Sequence, residues 1–131
     1  MDDQTKNKAI IDELIKSYFM ELETVVNYLA NSVNLDGVRA EEIKKSLNAD
    51  VTEELSHATQ LAIRIKTIDG FIPGSKAFVP VQESLQPPAD TTDVVAVIKG
   101  VIDAEEAAIA QYEKIIRLCD GFDFVTQDMC I

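Results

Sequence analysis

Three glutamates interrupt stripes of apolar residues that recur at spacings of three and four: Glu21, Glu54 and Glu105. Each lies near the middle of a predicted helix, on the face that is expected to be buried. A lone ionised carboxylate there is strongly unfavourable unless it is neutralised, paired or bound to a metal. Because few basic residues are placed to pair with them, three such carboxylates facing one interior indicate a shared cation.

The chain's one histidine, His57, follows Glu54 by three residues. In a helix this spacing places both side chains on one face, a turn apart, so that an oxygen and an imidazole nitrogen can reach one ion. That donor pair suits iron, manganese or zinc. A single Glu-x-x-His is common, and taken alone each of these residues has an ordinary structural explanation. In register with two further stripe glutamates, the motif predicts a metal site.

Two segments of the chain resemble each other. ELETVVNY begins at Glu21 and EEAAIAQY begins at Glu105, 84 residues later, and each ends in a tyrosine, Tyr28 and Tyr112. The repeat suggests two related helical hairpins that each begin with a glutamate-bearing helix. The two tyrosines, like Tyr18, are interpreted mainly as core packing, with at most an accessory role at the metal.

The predicted elements are those of an all-α bundle. Apolar spacing and turn residues predict helices over about 7–33, 40–68 and 91–118, a proline-containing crossover over 71–90, and the start of a fourth helix over 122–131. Thr91, Thr92 or Asp93 could cap the third helix, and Thr126 could cap the fourth. The crossover is long enough to run the length of the bundle, which predicts a four-helix topology with one long crossover.

Length and composition fit one domain over residues 1–131. The formal net charge of -11 disfavours nucleic-acid binding and favours attraction of cations. No apolar stretch is long enough to span a membrane, and no secretory signal is recognisable. Cys119 and Cys130 have neither a CxxC nor a zinc spacing and are interpreted as reduced thiols. The expected location is therefore the cytoplasm.

The chain resembles the ferritin-like superfamily, nearest to bacterioferritin-like and small ferritin-like (DPS-like) proteins. The matching segments are ELETVVNY, EELSHATQLAIRIKTIDGFIPG, EEAAIAQY and VTQDMCI. The family places a glutamate on the first and third helices and a Glu-x-x-His on the second and fourth. The resemblance therefore implies a carboxylate-bridged di-iron site with iron oxidation and storage. A homo-oligomer of at least two chains is expected because an unfinished bundle exposes an apolar groove.

The resemblance also assigns residues. It implies that the metal ligands are Glu21, Glu54, His57 and Glu105, with Tyr28 and Tyr112 as accessory side chains. Haem is not expected, because Leu55 stands where haem-binding relatives carry a methionine. The neighbouring Glu23, Glu53 and Glu106 are off the stripes and are expected to be solvated.

One departure from the family pattern concerns the fourth helix. A displacement by 84 residues would carry the Glu54–His57 pair to positions 138 and 141, beyond Ile131. Three explanations stay open: the remaining helix is missing from this sequence, a partner's helix completes the bundle, or the site is degenerate. With the four ligands alone, we expect slow iron oxidation.

Two other functions are compatible with the pattern. A di-metal oxidase, oxygenase or catalase acting on a small molecule would need an apolar cavity beside the metals. A non-catalytic helical assembly module would pair its acidic residues with a partner's bases. Iron or manganese in the purified protein would separate the first two functions from the third.

Overall fold

The computed structural model describes residues 2–131, which form four α-helices and two short 3₁₀ helices, with no β-strand among them. The α-helices are α1 (Asp3–Asn34), α2 (Glu41–Thr67), α3 (Val94–Cys119) and α4 (Phe124–Cys130), and the 3₁₀ helices are Val38–Ala40 and Ser75–Ala77. The predicted all-α class, with three long helices and the beginning of a fourth, is confirmed.

Aspartate side chains cap the starts of three helices by accepting a backbone N–H. Asp2 accepts one at 2.7 Å and so begins α1 earlier than predicted. Asp93, one of three candidates, caps α3. The prediction that Thr126 caps the fourth helix was wrong: Asp123 is the cap, and the fully buried Thr126 lies inside α4 and donates its hydroxyl to Asp123 Oδ2 at 2.6 Å.

Two apolar clusters fill the interior, one towards each end of the long helices. Residues early in α1 share a cluster with residues late in α2 and α3, so α1 runs antiparallel to both. The first cluster contains Ile10, Leu14, Leu61, Ile65, Ile115, Cys119 and Cys130. The second contains Tyr28, Leu35, Ala40, Leu47, Leu85, Val97 and Ala104. The middle of the bundle, where the predicted ligands lie, is left between them.

The crossover between α2 and α3 runs along the bundle and packs on α1 and α3. Leu85 is buried in the second cluster, and its carbonyl oxygen accepts a hydrogen bond from Asn31 Nδ2 at 3.0 Å. The crossover backbone at Ser84 also lies against the backbone of α3 at Gly100. A Cβ added at Gly100 would lie only 2.5 Å from the Ser84 carbonyl oxygen. Gly100 therefore lets the two backbones touch.

One side of the bundle, between α2 and α3, is open over much of its length. Ile98 and Ile102 of α3 remain exposed there and line a cavity with Ile43 and Leu47 of α2. The seven-residue α4 packs against α3 near Cys119 and does not reach this region. Among residues 2–131, no helix combines the length and apolar character that crossing a membrane requires.

Candidate metal centre

Glu21, Glu54 and His57 come together between the two apolar clusters. His57 Nδ1 lies 3.6 Å from Glu21 Oε2 and 3.5 Å from Glu54 Oε2, and one ligand atom of each residue lies within 4.8 Å of the others. Two ligand atoms that are each about 2.1 Å from one ion lie about 3.0–3.5 Å apart. The distances from His57 to each carboxylate are therefore close to the spacing of two ligands of one small divalent cation.

The helices explain how these side chains meet. Glu54 and His57 are three residues apart on α2, and Glu21 faces them from the middle of α1. The burial is graded: Glu21 is 5% exposed as a residue, whereas the side chains of Glu54 and His57 are 20% and 40% exposed. Glu21 is thus the most buried of the three side chains, and His57 is the most exposed.

The two carboxylate oxygens of Glu21 have different neighbours, Tyr112 and His57. The Tyr112 hydroxyl donates a hydrogen bond of 2.8 Å to Oε1, and Oε2 faces His57. Burial raises the pKa of Glu21, although the Tyr112 hydroxyl and His57 oppose this. A bound cation would favour the charged carboxylate, so the chemistry of this group fits a metal ligand.

Tyr28 lies two turns after Glu21 on α1, is buried, and lines one cavity with it. Its pKa is raised to about 12 by burial and by the nearby negative charges of Glu105 and Asp50. The same cause, with Glu21 as the neighbouring charge, holds the pKa of Tyr112 well above its usual range. Both phenols are therefore protonated near neutral pH and can donate a hydrogen bond.

The prediction that Glu105 is buried was wrong, because its side chain is exposed. Glu105 follows Ile98 and Ile102 on the face of α3 that borders the open side of the bundle, which explains its exposure. It is also outside the group of three that share ligand distances. It does line a small cavity together with Glu21 and Glu54, so the fourth predicted ligand is near the others without joining them.

Two cavities adjoin the group formed by Glu21, Glu54 and His57. The one shared by Glu21, Glu54 and Glu105 measures about 30 Å³, which is room for an ion and not for an organic molecule, since ligand pockets usually measure about 300–1,000 Å³. The other measures about 220 Å³ and is lined by His57, Tyr112 and apolar residues of α2 and α4. The first cavity has room for an ion.

The expectation that Glu23 is solvated was wrong. Glu23 is 4% exposed, and its carboxylate accepts hydrogen bonds from the backbone N–H groups of Val81 and Gln82 at 2.8 and 2.9 Å. Glu53 and Glu106 are exposed, as expected. Helical periodicity could not identify Glu23 as buried, because its partners lie in an irregular segment 58 and 59 residues away.

Sequence reasoning also missed Gln82. This crossover residue lines the 30 Å³ cavity beside Glu21, Glu54 and Glu105. No motif or periodic spacing marks it, since the crossover has neither. Its position depends on where the crossover settles on α1.

Known structures share this fold. The chain has a TM-score of 0.79 at 20% identity with ferritin-like diiron-carboxylate proteins from Bacillus anthracis, over 99% of this chain and 84% of that one. With the dodecameric thioferritin from Bacteroides fragilis, a bacterioferritin-related protein, the TM-score is 0.77 at 24% identity, over 95% and 74%. With a mutant of Dps1 from Mycobacterium smegmatis it is 0.81 at 17% identity, over 99% and 87%.

Sequence comparison leads to the same family. No curated protein matches the chain. The family model described as a ferritin-like domain matches residues 11–131, which include all four helices except the first turns of α1. The predicted resemblance is therefore confirmed, and the chain belongs to the ferritin-like domain family.

Proposed function

We propose that this protein is a non-haem iron-binding protein that oxidises and stores iron at a carboxylate-bridged di-metal site in the bundle core. The observation that carries the proposal is the convergence of Glu21, Glu54 and His57 on one point of the interior. Two carboxylates and an imidazole offer the mixed oxygen and nitrogen donors that ferrous iron accepts. Manganese and zinc suit the same donors.

Each ligand has a proposed role. Glu54, like Glu21, belongs both to the three-residue group and to the lining of the 30 Å³ cavity, and we assign to it the bridge between two ions. Glu21 and His57 would hold the first ion together with Glu54. Glu105 would approach a second ion from α3, more weakly because it is exposed. Two metal ions about 3.5–4 Å apart can act together on oxygen.

Full turnover would need ligands from one further helix. The open groove between α2 and α3 is next to Glu105 and is lined by exposed apolar residues such as Ile98 and Ile102. A helix seated there would cover those residues and could bring a carboxylate and an imidazole to the second ion. With Glu21, Glu54, His57 and Glu105 alone, we propose that iron binds and is oxidised slowly.

We also propose that the protein is a homo-oligomer of at least two chains. Val26, Leu29 and Val33 of α1 are each at least half exposed, and their spacing of three and four makes one apolar stripe on a helix. Burying such a stripe against a second copy is favourable. The thioferritin of similar fold is dodecameric. Free Cys119 and Cys130 support a cytoplasmic location.

A second candidate function has one specific observation in its favour. The 220 Å³ cavity beside His57 and Tyr112 could hold a small organic molecule or a peroxide next to the metals. This would suit a di-metal oxidase, oxygenase or catalase. Iron storage is preferred because the cavity that the carboxylates share has room only for ions.

The test is the metal content of the purified protein, with oxygen consumption after addition of ferrous iron. We expect one to two irons per chain, and we expect Glu54→Gln and His57→Ala to lose most of this iron. Glu106→Gln is the matched control, because Glu106 is an exposed glutamate outside the site. Iron content that is equal in all four proteins would contradict the proposal. Assembly size by light scattering then separates storage, which needs a closed shell, from the oxidase.

A further inference from the structure

The crossover supplies one wall of the 30 Å³ cavity, although it carries none of the proposed ligands. Gln82 lines the cavity, and α1 holds both ends of its carboxamide. Nε2 donates to Thr24 Oγ1 at 2.6 Å, and Oε1 accepts from Asn27 Nδ2 at 2.9 Å. With both ends engaged, the side chain is held in one position against the cavity.

Glu23 fastens the same segment to α1 through the backbone. Its two carboxylate oxygens each accept one N–H, from Val81 and from Gln82. Hydrogen bonds to a buried carboxylate are stronger than those between neutral groups, and without them the buried charge would be strongly unfavourable. This residue, one of the few buried acidic groups of α1, therefore secures the crossover and not a metal.

The segment is also held a few residues further along the chain, by α1 and by α3. Asn31 holds the Leu85 carbonyl, and Gly100 of α3 lets the backbone at Ser84 approach closely. The wall is thus clamped between α1 and α3 within a few residues of Gln82. Such a wall can keep the cavity small and free of bulk water, which strengthens the attraction between its carboxylates and a cation.

We propose that Gln82 is a positioning residue for the second ion of the site, and that the hydrogen bonds of Glu23 to the crossover backbone hold Gln82 in place. The inference rests on the proposed function, because it assigns the second ion to the cavity of Glu21, Glu54 and Glu105. Neither Gln82 nor Glu23 is a ligand of the first ion. Loosening the wall should therefore weaken the second binding step and leave the first one intact.

The experiment is a cobalt titration of the metal-free protein, followed by calorimetry and by visible absorption. The unaltered protein is expected to bind in two steps. In Glu23→Gln, one of the two backbone N–H groups loses its carboxylate acceptor, so the second affinity should fall about tenfold, the lower range for outer-shell partners of metal sites. The first affinity should change less than twofold. Gln82→Ala, which keeps the Glu23 carboxylate, should behave similarly, and Glu83→Gln, an exposed glutamate of the crossover, is the matched control.

Hydrogen exchange gives a readout that does not depend on iron chemistry. Because coupling is reciprocal, loading the second cobalt should slow exchange of the Val81 and Gln82 amides, and Glu23→Gln should speed it. An unchanged second affinity despite faster exchange would overturn the inference, and so would a single cobalt per chain without a second step. If the unaltered protein binds no cobalt at all, the proposed function itself fails.

Discussion

The Tyr112 hydroxyl points at Glu21 Oε1 from a distance of 2.8 Å, leaving Oε2 to face His57. A carboxylate held in this way by one oxygen presents the other to a metal in a fixed direction. Tyr112 belongs to α3 and Glu21 to α1, so this bond also joins two helices at the level of the site. Its effect on metal binding can be separated from its effect on packing.

Replacing Tyr112 by phenylalanine should weaken metal binding without removing a ligand. The ring remains in the core, but Glu21 Oε1 loses its donor, and loss of an outer-shell partner costs about tenfold or more in metal affinity. Cobalt titration by calorimetry measures this. Tyr18→Phe is the control, since Tyr18 is also half-buried and is outside the metal cluster. An equal loss of cobalt affinity in both variants would mean that the loss comes from altered packing and not from the orientation of Glu21.

Glu21→Gln should have opposite effects on stability with and without metal. Burial raises the pKa of Glu21 in the folded chain above its unfolded value near 4.5. The contribution of the neutral carboxyl to stability is therefore fully present below pH 4.5. It is lost as the pH rises through the higher pKa of the folded chain. Without metal at pH 7, the neutral amide of Glu21→Gln should therefore raise the melting temperature. The melting temperature of this variant should also decrease less with rising pH above 4.5 than that of the unaltered protein.

With metal the order should reverse. Cobalt at about 100 times its dissociation constant stabilises a binding protein by roughly 2.7 kcal/mol, and Glu21→Gln forfeits much of this. Thermal unfolding followed by circular dichroism, with cobalt or with a chelator, shows both effects. A rise in melting temperature on adding cobalt that is as large in Glu21→Gln as in the unaltered protein would argue against Glu21 as a metal ligand.

Gly100→Ala should destabilise the fold by displacing the crossover. The new Cβ would lie 2.5 Å from the Ser84 carbonyl oxygen and 3.0 Å from Leu85 Cα. We expect the free energy of unfolding to fall by about 1–3 kcal/mol, even though alanine favours a helix over glycine by roughly 1 kcal/mol. Urea unfolding measures the change. Gly74→Ala is the matched control in the crossover, because a Cβ there meets nothing within 4 Å, and it should be close to neutral.

The two thiols should react slowly while the protein is folded. Burial, together with the charge of Asp123, raises the pKa of Cys119 to about 11. Burial and the neighbouring Cys119 raise that of Cys130 to about 12. Because the thiolate is the reactive form, alkylation by iodoacetamide at pH 8 should be at least about 100-fold slower than in guanidinium chloride. Mass spectrometry counts the modified thiols, and fast labelling of the native protein would show that α4 detaches from α3.

Helical spacing was sufficient to predict three long helices and the convergence of Glu21, Glu54 and His57, and prolines and turn residues predicted the crossover. These features depend on short-range geometry: a side chain three or four residues along a helix must share its face. The place of Tyr112 beside Glu21 followed only from the resemblance to the family, since the repeated Glu and Tyr spacing suggested no more than two related hairpins. Asp93 was among the caps that the chain itself offered for α3.

Tertiary structure decided the rest, because burial depends on what covers a face and not on the face alone. Glu105 has the spacing of a buried residue, yet its side of α3 borders the open groove and it is exposed. Glu23 has the spacing of a solvated residue, yet the crossover covers it and supplies two N–H donors. Gln82 lines the 30 Å³ cavity because the crossover backbone fits between α1 and Gly100. Contacts between an irregular segment and helices more than fifty residues away have no period, so they exist only once the chain is folded.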